Sequence, residues 1–114
     1  MSPNHLRCEV VTHPSLFNSY DRPFVVVSHD TSPAYPDQHV ALGISTTEVE
    51  GSIPITPDDW AVGSLSKQSY IHPRYPTVIS EADIVTTVGA LTEDVVDDAV
   101  GALGQEIGMT SATQ

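Results

Sequence analysis

Nine prolines and seven glycines, spread over 114 residues, cut this chain into short pieces. The pieces are rich in β-branched side chains: Val, Ile and Thr account for 32 residues. Such side chains fit the pleated surface of a strand, so short strands with turn residues between them are expected. Glu9–Thr12 reads as a first strand, followed by a loop over His13–Asp21 with Pro14 and Asn18-Ser19 as turn formers. After Pro23, Phe24-Val25-Val26-Val27-Ser28 is an unbroken apolar run, the pattern of a central strand buried on both faces. His29–Gln38 holds two prolines and reads as a loop, and Val40–Ser45 as the next strand.

Further on, Thr46–Glu50 turns the chain, and Gly51–Ile55 fits a sheet edge because Pro54 lacks a ladder donor. Asp58–Lys67 is polar, with Trp60, Val62 and Leu65 as anchors. Ser69–Ile71 and Thr77–Ile79 read as two short strands split by His72-Pro73-Arg74-Tyr75-Pro76, and Ile84–Val88 as another, closed by Gly89. One helix is expected, from a Thr92 cap to a stop at Gly108. Glu93 and Asp94 complement its dipole, and Val95, Val96, Ala99, Val100, Leu103 and Ile107 form its apolar stripe. Gly101 and Gly104 weaken that helix and suggest a tight approach to a sheet. The expectation is a mainly β fold with a C-terminal helix: one domain over residues 8–108, between flexible ends at 1–7 and 109–114.

Composition narrows the function. A net charge of −11, with Lys67, Arg7, Arg22 and Arg74 as the only bases besides histidine, repels nucleic acid and anionic membranes at low salt. Such a surface suits a salt-rich, halophilic cytosol, where the Debye length falls to ~3 Å at 1 M. No apolar run is long enough to span a bilayer, and the first residues lack a secretory pattern, so a cytoplasmic protein is expected. The single cysteine, Cys8, reads as structural and forms no internal disulfide. His5, His13, His29, His39 and His72 follow no metal-ligand spacing, and no glycine-rich phosphate loop is present. Arg22 stands out, since Pro23 and the apolar run behind it hold the position rigidly. A guanidinium there keeps its charge and presents a planar fork that suits a phosphodiester.

The segment Asp21-Arg22-Pro23-Phe24-Val25-Val26-Val27-Ser28-His29-Asp30 resembles the RPxVVVSxD segment of the PemK/MazF endoribonuclease toxins. Cys8-Glu9-Val10-Val11 takes the place of that family's GDVV strand, and Gly43-Ile44-Ser45-Thr46 that of its PIT/PIS strand end. Ser69-Tyr70-Ile71, Ile84–Val88, Gly89-Ala90-Leu91 and Val95–Leu103 follow in the family's order, so the likeness spans about residues 8–104. It departs at Cys8-Glu9, at Gly43 in place of proline, and in having few basic residues for an RNA groove.

The resemblance implies an SH3-like small β-barrel of the PemK/MazF/CcdB kind and a two-fold homodimer. It implies cleavage of single-stranded RNA without metal or other cofactor, leaving a 2′,3′-cyclic phosphate or 3′-phosphate and a 5′-hydroxyl. A cognate antitoxin is the implied protein partner, with no membrane involved. Arg22 matches the catalytic arginine and Ser45 the catalytic hydroxyl, with Thr46 in that role if the alignment slips by one. Both would hold the scissile phosphate while the RNA's own 2′-hydroxyl attacks in line. His13 and His29 are secondary acid/base candidates. Tyr20, Phe24 and Tyr35 are platforms for unstacked bases, each stacking contact being worth ~1–3 kcal/mol. The loops His13–Asp21 and His29–Gln38 would rim the groove. Two other classes stay open: a non-catalytic CcdB-like protein binder, and an acidic module that mimics nucleic acid for a basic partner. Because fifteen acids face four Lys and Arg, folding stability is expected to rise with potassium chloride. Thermal melts over a salt series check this, and a midpoint insensitive to salt would contradict it.

Overall fold

The computed structural model describes residues 4–15 and 20–108. The tail expected at 109–114, residues 1–3 and residues 16–19 of the first loop lie outside the described residues. The strands are β1 (Glu9–Pro14), β2 (Asp21–Val26), β3 (Gln38–Ser45), β4 (Ile53–Ile55), β5 (Trp60–Gly63), β6 (Ser69–Ser80) and β7 (Thr86–Leu91). Among the described residues one α-helix, α1 (Glu93–Glu106), follows them, and short 3-10 turns occupy Pro57–Asp59 and Glu81–Asp83. The strands form one antiparallel sheet in the order β4-β6-β3-β2-β1-β7-β5, coiled into a nearly closed barrel whose free edges are β4 and β5.

The apolar run of β2 behaves as its composition requires. Val25 turns to one face and Val26 to the other, and both are fully buried. On one side Val10, Val25, Leu42, Ile44, Ile71 and Leu91 pack with Val95, Val96 and Ala99 of α1. On the other, Val11, Val26, Ala41 and Ile79 form a smaller cluster with Phe24 and Ile84 against it. Burying each such side chain contributes roughly 1.5–3 kcal/mol, so the pairing of β1, β2 and β3 is held from both faces.

Four expectations are corrected. Residues 69–80 form one long strand, because the ladder jumps from His72↔Gly43 to Pro76↔Leu42. Residues 73–75 bulge out of the pairing, so Pro73 costs no ladder bond. Ile107 lies just past the helix end and is 71% exposed, off the apolar stripe. Thr92 does start α1, but its hydroxyl makes no capping bond. Gly101 has open space where a side chain would sit, so no close approach explains it.

The N-terminal stretch is tied down by two side chains. Arg7 donates to the Val27 carbonyl and pairs with Asp97 of α1. His5 bonds Glu81 through its main-chain N–H at 3.0 Å and through Nδ1 at 2.7 Å, and His39 Nε2 reaches the same carboxylate at 2.7 Å. Burial pushes the Glu81 carboxyl up. Those hydrogen bonds outweigh it and hold the group below the usual 4.5.

The β5–β7 seam depends on paired glycines. A Cβ on Gly89 would stand 2.2 Å from the Val62 carbonyl oxygen, and one on Gly63 2.3 Å from that of Val88. Gly89→Ala is expected to lower stability by about 1–3 kcal/mol. Urea denaturation would read this as a lower midpoint at constant slope.

Candidate active site

Strand register assembles the site. Phe24 of β2 pairs with Gly43 of β3 at the end of that ladder, and Arg22 and Ser45 lie two residues beyond it on their strands, on the same sheet face. His13 of β1 pairs with Arg22, and Ser45 pairs with Tyr70 of β6. The neighbouring row runs Val11, Phe24, Gly43 and His72. Directly paired residues share a sheet face. His13, Arg22, Phe24, Ser45, Tyr70 and His72 therefore occupy one end of the face that carries the smaller apolar cluster.

The charges at this end are unusual for so acidic a chain. Arg7 and Arg74 are each paired with carboxylates, whereas Arg22 has no carboxylate partner among the described residues. Its Nη1 donates to the Tyr20 hydroxyl at 3.0 Å, and the guanidinium carbon lies 5.5 Å from the centre of the Tyr20 ring. Arg22 forms no salt bridge to the adjacent Asp21. The Arg22 side chain is half-buried, and Tyr20 is 58% exposed.

Ser45 is held by a histidine that sequence reasoning did not single out. His72 Nε2 lies 2.7 Å from Ser45 Oγ, and the Thr47 N–H donates to the same oxygen at 3.2 Å. His72 is 8% exposed, and its Nδ1 is buried without a hydrogen-bond partner among the described residues. Burial foremost, and then the positive charge of Arg22, push the His72 pKa below the ordinary 6.5. The imidazole is thus neutral at neutral pH. The signal that could have found it is strand alternation: Tyr70 and His72 flank Ile71, which faces the main core.

The remaining candidates divide by position. His13 Nδ1–H donates to the Pro14 carbonyl at 2.9 Å, its Nε2 is buried without a partner among the described residues, and its ring meets Phe24 edge-on. Phe24 packs against the smaller apolar cluster and is no open platform. Thr46 is exposed, one residue past the end of β3. His29 and Tyr35 lie in the β2–β3 connection, at the opposite end of these antiparallel strands from Arg22 and Ser45. The Tyr35 ring meets His39 there, at 6.0 Å. The structure therefore does not bring His29 or Tyr35 to the arginine. The Cys8 thiol, buried and bonded to Glu93, is pushed up to about 12 and stays protonated.

No protein-family model matches the sequence, and no curated protein is significantly similar to it. Solved structures do match the fold. An endoribonuclease in complex with its cognate antitoxin, from a mycobacterial species, superposes with a TM-score of 0.76 at 15% identity, covering 96% of this chain and 99% of that one. MazF in a MazE–MazF structure from Deinococcus radiodurans gives 0.73 at 13% identity, over 96% and 100% of the two chains. The Mycobacterium tuberculosis toxin MazF-mt6 gives 0.71 at 14%, over 92% and 100%. The barrel with its C-terminal helix is thus the MazF-like fold. No helix among the described residues is long and apolar enough to cross a membrane.

The depressed His72 pKa has a sign that can be tested. An unfolded chain takes up this proton at about 6.5 and the folded one only at lower pH. The associated stability is complete above pH 6.5 and is lost as pH falls through the folded value. Urea midpoints should therefore drop between about pH 7 and pH 5, and His72→Gln should flatten that drop.

Proposed function

We propose that this chain is an endoribonuclease of the MazF/PemK toxin type, acting on single-stranded RNA with Arg22 and Ser45 at the scissile phosphate. One observation supports the reading: a guanidinium without a carboxylate partner among the described residues lies close enough to bias His72, the imidazole bonded to the Ser45 hydroxyl. A phosphodiester needs that pair, one fixed positive fork and one hydroxyl donor. A protein-binding module does not require it, which favours catalysis over a CcdB-like role.

In this reading Arg22 neutralises the charge that builds on the non-bridging oxygens, and Ser45 donates to one of them. The RNA 2′-oxygen then attacks phosphorus, and the bond to the 5′-oxygen breaks. The 2′-hydroxyl proton passes to water and the leaving oxygen takes one from water. The products are a 2′,3′-cyclic phosphate and a 5′-hydroxyl, with no metal or cofactor called for. Tyr20, exposed and bonded to Arg22, is the base platform beside the phosphate. The proposed partners are a small antitoxin, as in the mycobacterial complex, and a second copy of the chain.

Arg22→Ala should lower cleavage of single-stranded RNA by about 100- to 1,000-fold while the protein stays folded. The assay belongs in ~2 M potassium chloride with a chelator present, so that self-repulsion of the acidic chain does not unfold it. Unchanged cleavage by a folded Arg22→Ala protein would refute the site. Wild-type protein that cuts no RNA would leave the binding-module reading.

A further inference from the structure

We propose that His72 is the positioning residue of the Ser45 hydroxyl: its imidazole donates Nε2–H to Oγ and so aims the serine proton out of the sheet toward a phosphate oxygen. The proposal rests on the nuclease reading for the identity of the phosphate, and on hydrogen-bond counting for the rest.

A serine hydroxyl has two lone pairs and one proton. Thr47 N–H occupies one lone pair at 3.2 Å. His72 Nε2, at 2.7 Å, either fills the second lone pair or accepts the proton. In the second case the imidazole hydrogen would sit on Nδ1, a buried donor with no partner among the described residues. In the first case only a lone pair is left unpartnered at Nδ1. Buried donors without partners are rarer than acceptors in the same position, so the Nε2–H form is favoured. Both lone pairs of Ser45 are then taken. The remaining internal acceptor for its proton is the Thr47 carbonyl at 3.5 Å, at the limit of a hydrogen bond. An incoming phosphate oxygen competes easily with that contact.

The surroundings keep the imidazole neutral and fixed. From β2 the Arg22 charge opposes a second proton. Ser45 of β3 holds Nε2, and on β6 itself the Tyr75 ring meets His72 edge-on at 6.1 Å. Arg22 is the charged group that bears on His72 among the described residues. The division of labour is that Arg22 supplies charge and His72 supplies direction.

Two measurements test this. Long-range proton–nitrogen NMR of the full-length protein, without RNA, should show His72 protonated at Nε2 with a bare Nδ1. A proton on Nδ1 overturns the proposal whatever the protein does to RNA. In cleavage assays His72→Ala should lower kcat by about 10- to 100-fold with KM little changed, as for the loss of the aimed Ser45 hydrogen bond to the charged phosphate. Adding His72→Ala to Ser45→Ala should slow the reaction no further, because both act through one hydroxyl. His72→Gln, whose side-chain amide can still donate to Oγ, should recover most of the lost rate. If His72→Gln is as slow as His72→Ala and the acid limb of the pH–rate profile vanishes with it, the imidazole moves a proton and positioning is refuted. If His72→Ala cleaves like the wild type, His72 has no role. An Nε2–H tautomer in a wild-type protein that cuts no RNA supports the hydrogen-bond assignment and overturns the nuclease reading.

Discussion

The pairing of β2 with β3, Phe24 against Gly43, is the constraint on which the rest of this molecule depends. A slip of one residue would turn Arg22 and Ser45 to opposite faces of the sheet. It would also carry Val25 and Val26 out of two separate apolar clusters at once. Burial on both faces therefore sets the register, and the register sets the site. The β6 bulge belongs to the same design. It lets residues 69–72 keep step with β3 while Pro73 and its neighbours leave the ladder, which puts His72 in the row beside Ser45.

Charge is apportioned with equal economy. In a chain of net charge −11, two of three arginines are struts: Arg7 joins the N-terminal stretch to α1, and Arg74 joins β6 to Glu106. Arg22 is stacked on an exposed tyrosine instead. A guanidinium left without a carboxylate in such surroundings is available to an anion from outside. At the other end of the same face, Glu81 gathers His5 and His39. Those histidines are spent on holding the fold, whereas His72 is spent on the serine.

Much of this was legible in the residues. The run after Pro23 announced a strand buried on both faces, and the spacing of Val95, Val96 and Ala99 announced the helix stripe. The family likeness points to Arg22 and Ser45, and the structure bonds Ser45 to His72, whose pKa the Arg22 charge lowers. What could not be read was distance across the sheet. The His29–Gln38 loop is expected to rim the groove, yet the antiparallel return carries it, with His29 and Tyr35, to the end of the strands away from Arg22. His72 was hidden because Pro73 and Pro76 suggested a break in the strand, and only pairing with β3 reveals the bulge. Ile107 failed because periodicity does not report where a helix stops.

Composition and pattern, then, determined the element types, the two-faced burial of β2 and the surplus of negative charge, all of which follow from side-chain chemistry and spacing along one segment. The meeting of a guanidinium, a hydroxyl and a neutral imidazole was decided by tertiary structure alone. Residues 22, 45 and 72 belong to three strands, and only packing on both sheet faces brings His72 onto Ser45 and within reach of the Arg22 charge.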